Sequence, residues 1–581
     1  MSEVDSTNRG RLARCYRSPL GYGLAGGLLY WAALPWAGSA LLSKTLWPLG
    51  WIAPVWWVLL VLREKLVDNG KANADSGTAE QGRLRRFFAR PYVQLWLAGF
   101  VFWLATIHWL RLPHPATYLG WIALSFYLGF YLPVFVAVSR VAVHRLHVPA
   151  IVVTPIVWTG LEYVRAYMIT GFLMVALGHT QYPWIALLQI SDIFGGYGVS
   201  FLMMFVAACV AQTLPRFSRE GQESKSIAWW PLIPAAAALI LTLAYGYWQL
   251  SDTNKTPGPK IALIQGSIDS EIKQDPTSSS RIYTHYNEWT DKALEAAPDV
   301  DLIVWPETMY RFPDTHHQLI WLDPGMRLAS PENERIRQEQ LAGLRATAAR
   351  FGKPLLLGIS TVVPPKSATD RAHPYNSAIH VTEGGDVVAR YDKMHRVLFG
   401  EYIPFSDWIP ALGRLTPLPS TVDAGERGVA FDYGDFRISP SICYETVLPQ
   451  VIRRQVFDTT FVLPKHDPDI LVNVTNDGWF WGSSQLDQHL ICGVFRAIEM
   501  RMPLLIAANT GFSASIDSDG RILAQGPRRA PGYIIAEPQI DGRTSLYLLV
   551  GDWFAGLCLL VTTIFAAIGG IVTFRGRQRA A

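Results

Sequence analysis

The sequence predicts two fold classes in one chain: a polytopic α-helical membrane domain of about eight transmembrane helices, and an α/β domain inserted before the last of them. Three observations carry this expectation. Hydrophobic residues make up 50% of the 581-residue chain, with 22 Trp, yet they gather in long uncharged runs before about position 250 and after about 546. Lys and Arg are unevenly shared between the alternate connections of those runs. The stretch between has ordinary globular composition, with short Ile/Leu/Val runs alternating with helical ones.

A bilayer core takes about 20 mostly apolar residues per helix. Runs near that length are Leu20 to Leu42, Leu46 to Leu62, Pro91 to Ile107, Pro115 to Ser139, Val148 to Leu161, Ile193 to Gln212, Ala228 to Trp248 and Trp553 to Phe574. The fifth is short and is expected to continue through Glu162 and Tyr163. Placing the N-terminus inside puts Arg9 to Arg17, the group from Arg63 to Arg90, Arg140 and Arg145, Arg216 to Lys225, and Arg575 to Arg579 on the cytoplasmic side. The opposite short loops hold only Lys44, Arg111 and Arg165, so both termini are expected inside and the long middle region outside. No small-residue cleavage site follows the first run, which reads as a retained anchor. The chain therefore divides into an N-terminal membrane domain of about seven helices (1–250), an extracytoplasmic domain (251–545), and a C-terminal transmembrane helix with a basic tail (546–581). Ser251 to Lys260, with two prolines, reads as a linker. Trp56, Trp57, Trp229 and Trp230 read as interface anchors. Glu162 and Arg165, one turn apart, are either a structural pair or functional.

In the middle region, Lys260 to Gln265, Asp301 to Trp305, Pro354 to Ile359, Phe436 to Ile442, Asp469 to Val474 and Pro503 to Ala508 read as buried strands, with helices over Ser278 to Ala296, Glu332 to Arg350 and Gln485 to Arg501. A formal charge of +4 without a basic block gives no nucleic-acid footprint. No His/Cys/Asp cluster has metal-ligand spacing, so neither metal nor cofactor is expected. Of five cysteines, only Cys443 and Cys492 lie in the polar middle. They could pair in an oxidising compartment, or one could be a reactive thiol.

Cys443 follows the strand ending at Ile442, and Tyr444-Glu445-Thr446 opens a helical turn. Such an elbow exposes a side chain and aims backbone N–H groups at one point, the geometry of a nucleophile with its oxyanion hole. Two other strand ends carry matching chemistry: Glu307 in Trp305-Pro306-Glu307, and Lys393 in Tyr391-Asp392-Lys393. A thiol needs a base and a nearby cation to attack an ester.

WPE ending at Glu307, YDKMHRVLFGEYIPF with Lys393 and Glu401, and ICYE with Cys443 together resemble the carbon-nitrogen hydrolase (nitrilase) superfamily. GLEYVRAYMITGF, LGHTQYP, FGGYGVSFL, NVTNDGWF, QHL and FRAIEMRMPLLIAANTGFSA extend the likeness over nearly the whole chain to the apolipoprotein N-acyltransferase family. The resemblance implies a nitrilase-like α-β-β-α sandwich and an enzyme in the bacterial inner membrane with its catalytic domain on the periplasmic side. It implies Glu307 as general base, Lys393 stabilising thiolate and oxyanion, and Cys443 as nucleophile, with the Tyr444 N–H as a second oxyanion donor and Glu401 and Glu445 in support. Glu445 reads almost equally as a surface residue. Trp479 and Phe480 are candidates for an acyl entrance, with core packing as the alternative. The implied reaction moves an acyl chain from a phospholipid, through a cysteine thioester, to the α-amine of an N-terminal diacylglyceryl-cysteine on an apolipoprotein, with no cofactor and the enzyme a monomer. Departures from the family pattern are Leu173-Met174 after Thr-Gly-Phe, WGSSQLDQHL after NDGWF, and a polar insert near Thr315 to Arg335. The rival readings are a membrane-tethered amidase, whose thioester water resolves, and a non-catalytic binding or scaffold protein.

Overall fold

The computed structural model describes residues 18–35, 39, 45–66, 86–214, 228–312, 318–328, 330–367, 369–403, 421–462 and 467–580. Many of the basic residues used for orientation, and part of the Thr315 to Arg335 insert, lie outside them.

Each apolar run forms helix where it is described. These are α1 (Pro19–Ala33), α2 (Leu49–Leu62), α3 (Pro91–Thr106), α4 (Thr117–Leu128), α5 (Tyr131–Arg145), α6 (Ala150–Tyr167), α7 (Gly196–Thr213), α8 (Leu232–Leu250) and a C-terminal helix, Trp553–Ala580. Ser18 caps α1 by accepting from the Gly21 N–H at 3.1 Å, with Pro19 in the first turn. The helix stops well before the expected Leu42. Leu34 precedes Pro35, whose ring forces it into extended torsions (ψ 159°). The run from Ile193 is likewise interrupted, at Gly195 with φ +66°, so that the long helix begins at Gly196. α6 does continue through Glu162, ending at Tyr167.

Among the described residues, four stretches are long and apolar enough to cross a bilayer: Thr117–Arg145, Gly196–Thr213, Leu232–Leu250 and Trp553–Arg575. The first spans α4 and α5, joined by helical torsions at Gly129 and Phe130. α2 and α3, with 14 and 16 residues, fall short of a full span. The helical part is a membrane domain whose outer face is apolar: Leu119 and Leu241 are each 70% exposed, and Phe574 63%. Small residues set the helix spacing. A Cβ on Gly160 of α6 would lie 3.0 Å from the Leu559 backbone of the C-terminal helix, so these two backbones pack closely.

The middle of the chain is a four-layer sandwich. Its strands are β1 (Lys255–Pro257), β2 (Ile261–Gln265), β3 (Leu302–Trp305), β4 (Leu319–Ile320), β5 (Leu355–Val363), β6 (His373–Val381), β7 (Val387–Asp392), β8 (Phe431–Tyr433), β9 (Phe436–Ile442), β10 (Ile470–Thr475), β11 (Leu504–Ala508), β12 (Ala514–Ile516), β13 (Ile522–Gln525), β14 (Gly532–Ala536) and β15 (Gln539–Asp541). One sheet runs β14-β2-β3-β5-β6-β7 with β4 beside β5; the other runs β13-β12-β11-β10-β9-β8. The β2–β3–β5 and β9–β10–β11 centres are parallel, and the flanks antiparallel. Period-two alternation sorts the side chains. Ile261, Leu263, Leu302 and Val304 face Ile438, Ile442, Val472 and Val474 across the middle. Ala262, Ile264, Ile303 and Trp305 pack outward under α10 (Ser279–Ala296) and α11 (Pro331–Phe351). Beyond the second sheet lie α12 (Pro449–Phe457) and α13 (Gln485–Met500), in the same apolar core as the membrane helices. That continuity leaves α13 almost wholly buried, its polar side chains Gln485, Gln488, His489, Arg496 and Glu499 included.

The expected linker is partly structured: β1 pairs antiparallel with β15, Thr256 opposite Ile540. Polar bonds also lock the sandwich onto the membrane domain. Arg501 donates to Asp192 at 2.5 Å, the Gly196 N–H donates to Glu499 at 2.8 Å, and Gln450 donates to the Ala166 carbonyl at 2.7 Å.

Candidate active site

The site lies where loops leave the ends of β3, β7, β9 and β10. Pro306 ends β3 because it has no N–H for the ladder, and Glu307 turns inward, 7% exposed. Its Oε1 accepts from Asn376 Nδ2 at 2.7 Å and faces Lys393 Nζ at 3.4 Å; its Oε2 accepts from the Asn476 N–H at 2.9 Å. Close approach of β5 fixes this loop. A Cβ on Gly358 would lie 2.2 Å from the Pro306 carbonyl oxygen.

Lys393, just past β7, is 2% exposed and donates to Glu401 Oε1 at 2.8 Å. Burial disfavours its charge, but Glu401, Glu307 and the Cys443 sulfur outweigh burial and hold the ammonium well above its usual range. Glu401 also takes Asn376 Nδ2 at 3.0 Å and the Val397 N–H at 2.8 Å. Burial pushes its carboxyl up, yet Lys393 and these donors bring it below the ordinary value. The pair is therefore ionised across the neutral range.

Cys443 ends β9 in the left-handed region, φ +53°, and opens a single turn, Cys443–Val447. A non-glycine residue there is held by its surroundings. The holder is Glu445, which is fully buried rather than on the surface. Its carboxylate accepts from the Ile442 N–H (2.7 Å), the Met394 N–H (2.7 Å), the His395 N–H (3.0 Å) and the Tyr391 hydroxyl (2.8 Å). One side chain thus ties the cysteine elbow to the loop that carries Lys393. Burial, then the charge of Glu307, raise the Cys443 thiol above its ordinary value, while Lys393 pulls it down. The resting thiol carries its proton and needs a base.

Tyr444 points away from the sandwich: its hydroxyl donates to the Gly171 carbonyl of the membrane domain at 2.9 Å, and its ring stacks on His395. Trp479 and Phe480 lie in a short turn after β10, half-buried, with Phe480 edge-on to Trp109 at 5.0 Å. Phe480 packs where the sandwich meets the membrane domain.

Cys443 and Cys492 are both free thiols. Cys492 is fully buried in α13, where its sulfur meets the Gln488 carbonyl at 3.2 Å, a packing role. Among the described residues no cluster could hold a metal ion.

Sequence reasoning gave no role to several residues at the site, although His489 lies within QHL. Asn376 bridges Glu307 and Glu401 from β6, a strand with a polar start that apolar-run counting passes over. His489 stands behind the elbow, its Nε2 at 2.8 Å from Thr446 Oγ1 and 3.2 Å from the Cys443 carbonyl, its Nδ1 at 3.1 Å from Asp477. Asp477 outweighs burial and raises the imidazole above its ordinary value. Lys273, on α9 (Ser270–Gln274), donates to the Thr308 hydroxyl next to Glu307. The i, i+4 spacing of Gln485 and His489, both reaching Asp477 of NDGWF, is the signal that could have found this group.

Two family models match the chain: "Carbon-nitrogen hydrolase" over residues 260–546 and "Apolipoprotein N-acyltransferase N-terminal domain" over residues 78–209. A curated apolipoprotein N-acyltransferase of Rhodopirellula baltica is 30% identical over 80% of this chain and 86% of its own. One of Geobacter metallireducens is 34% identical over 71% of this chain and 73% of its own. Among solved structures, Saccharomyces cerevisiae Nit3, a member of branch 10 of the nitrilase superfamily, aligns with 50% of this chain and 94% of its own at 18% identity and a TM-score of 0.35. With a sandwich whose loops gather Glu307, Lys393 and Cys443, a membrane domain bonded to it, and relatives matched over most of their length, the chain belongs to the apolipoprotein N-acyltransferase family.

Proposed function

We propose that this protein transfers an acyl chain from a phospholipid to the α-amine of an N-terminal diacylglyceryl-cysteine on apolipoproteins, through a thioester on Cys443. The observation that carries the reading is the cysteine elbow itself. It holds a half-buried, protonated thiol within the electrostatic reach of a carboxylate and an ammonium, and it is bonded through Tyr444 to the domain that meets lipid.

Glu307 takes the thiol proton, and the thiolate attacks the ester carbonyl carbon. Lys393, kept charged by Glu401, and the Tyr444 N–H stabilise the oxyanion of the tetrahedral intermediate. As the ester C–O bond breaks, Glu307 returns its proton to the departing lysophospholipid oxygen, leaving an S-acyl cysteine. The acceptor amine then attacks the thioester; Glu307 takes a proton from the nitrogen and gives it to the leaving sulfur. The products are an N-acyl amide and the original thiol. Asn376 donates to both carboxylates and so fixes Glu307 beside Glu401.

The shorter helices complete about eight spans. Residues 1–250 and 546–581 then form the membrane domain, with both termini in the cytoplasm of a bacterium and residues 251–545 on the periplasmic face of the inner membrane, acting as a monomer. Phe480 and Trp479 line the approach of the acyl chains.

The test supplies purified protein in phospholipid vesicles with a diacylglyceryl-cysteine peptide. The expected product is a peptide one acyl chain heavier with a blocked N-terminus. Free fatty acid with no modified peptide would identify a hydrolase instead.

A further inference from the structure

Among the described residues, two cations near the site form no ion pair. Lys273 is on α9, in a segment fastened by Asn509: its Oδ1 accepts from the Ile268 N–H (2.9 Å), its Nδ2 donates to the Ile268 carbonyl (2.7 Å), and its carbonyl accepts from the Ser267 N–H (2.7 Å). Asp269 of this segment is held by Arg529 at 2.9 Å. Lys273 is half-buried, and its ammonium bonds a neutral partner, the Thr308 hydroxyl, which in turn donates to the Glu307 carbonyl oxygen at 2.8 Å. Arg311 lies three residues beyond Thr308, also half-buried. Among the described residues neither forms an ion pair, whereas Lys393 has two carboxylates.

The Glu307 carboxylate is close enough to act on Lys273, but its oxygens are already taken by Asn376, Lys393 and the Asn476 N–H. Burial and then Arg311 weigh against the Lys273 charge, and the ammonium is pushed down to about 8. Two like charges that share only the already engaged Glu307 carboxylate are under-compensated, a cost that an anionic ligand would relieve. Ser270, on the same short helix, adds a buried hydroxyl that has no partner among the described residues. Both loops are held in unusual torsions, Ser267 and Thr308 each at φ +54°.

Resting on the acyl-transfer reading above, we propose that Lys273 and Arg311 form the anion site that holds the phosphodiester of the donor lipid while Cys443 attacks its ester. The dimensions of the lipid agree with this placement. Five or six single bonds of about 1.5 Å separate a glycerol ester carbon from phosphorus, so the phosphate lies within roughly 8 Å of the attacked carbon. The Lys273 ammonium bonds the Thr308 hydroxyl, and Thr308 donates to the carbonyl of Glu307, the proposed base, so the cation is seated on the loop that serves the attack. The site makes the enzyme selective for a phosphate-bearing donor over a neutral glyceride with the same chains, and it is vacated when the lysophospholipid leaves.

The test measures S-acylation of Cys443 by intact mass, with dioleoyl phosphatidylethanolamine or dioleoylglycerol as the donor in the same detergent micelles. In the wild type the phospholipid is expected to react at least about tenfold faster. In Lys273→Gln and Arg311→Gln the ratio of the two rates is expected to fall roughly tenfold each, the loss of one charge-assisted hydrogen bond, with Lys273→Arg retaining most of it. Equal slowing with both donors would overturn the proposal, as would a wild type that uses both donors equally. Thermal unfolding of each variant separates misfolding from a changed ratio. A wild type that is acylated by neither donor would refute the acyl-transfer reading itself.

Discussion

Replacing Glu445 with Gln tests whether the elbow that presents Cys443 is built by one buried carboxylate. In the wild type both carboxylate oxygens are engaged: Oε2 by the Ile442 N–H, Oε1 by the Met394 and His395 N–H groups, and both by the Tyr391 hydroxyl. A glutamine has one acceptor oxygen and one NH2. The cheaper orientation keeps the oxygen at the Met394/His395 side and sets the NH2 against the Ile442 N–H. This loses a charge-assisted bond worth about 1.5–3 kcal/mol and leaves a buried donor unpaired at about 1–3 kcal/mol. Burial raises the Glu445 carboxyl above its ordinary value, so removing the charge also relieves a desolvation cost. The net is about 2–3 kcal/mol, and it falls at the residue preceding the strained Cys443. If the elbow must be in place for attack, the acylation rate drops roughly 30- to 150-fold, while thermal unfolding remains cooperative. The assay is single-turnover acylation of Cys443 alongside a melting curve. A Glu445→Gln protein that acylates at the wild-type rate would refute the reasoning, whatever its melting temperature.

Gly358→Ala is expected to lower acylation by about a hundredfold, because the new Cβ would sit 2.2 Å from the Pro306 carbonyl and 2.7 Å from Glu307 Cα, so the base is pushed out of line; unchanged single-turnover kinetics would contradict this. Glu401→Gln removes the closer of Lys393's two carboxylates. The folded-state value of Glu401 is depressed, so its contribution to stability is full above its unfolded value of about 4.3 and is lost as pH falls through the folded value. Acid unfolding should therefore begin in the wild type below about pH 4, and the difference in stability between wild type and Glu401→Gln should shrink there. A constant difference down to pH 3 would count against the pair. His489 has the opposite sign. Its raised imidazole value means that its pairing with Asp477 stabilises the fold fully below about pH 6.5 and progressively less as pH rises through the folded value; His489→Gln should thus destabilise more at pH 5.5 than at pH 8.5, as read by urea midpoints.

What was legible in the sequence follows from which signals are local. The buried parallel strands are continuous apolar runs, and β2, β3, β5, β9, β10 and β11 lie within a few residues of those runs. Helices α10, α11 and α13 fall where the pattern put them. β6 begins His-Pro-Tyr-Asn, and β12 to β15 are only three to five residues long, so neither kind stands out from loop. In the membrane domain composition located the helices but not their ends, since Pro35 and Gly195 act through torsions. At the site, Glu307 lies 3.4 Å from Lys393, with Glu401 closer at 2.8 Å. For Glu445 the sequence left a supporting role and a surface position almost even, because burial of a carboxylate depends on donors from Ile442, Met394 and His395, and those two loops meet only in the fold. Lys273 and Arg311 have no sequence pattern at all: what marks them is that, among the described residues, neither pairs with a carboxylate.

The central claim is that Cys443 carries the acyl chain. Its most direct test is intact mass of the purified protein after incubation with phospholipid, wild type against Cys443→Ser. The account predicts a gain of one acyl chain that hydroxylamine removes and that the serine variant lacks. A folded wild-type protein with a free Cys443 thiol and no adduct, or an adduct that persists in Cys443→Ser, would contradict it.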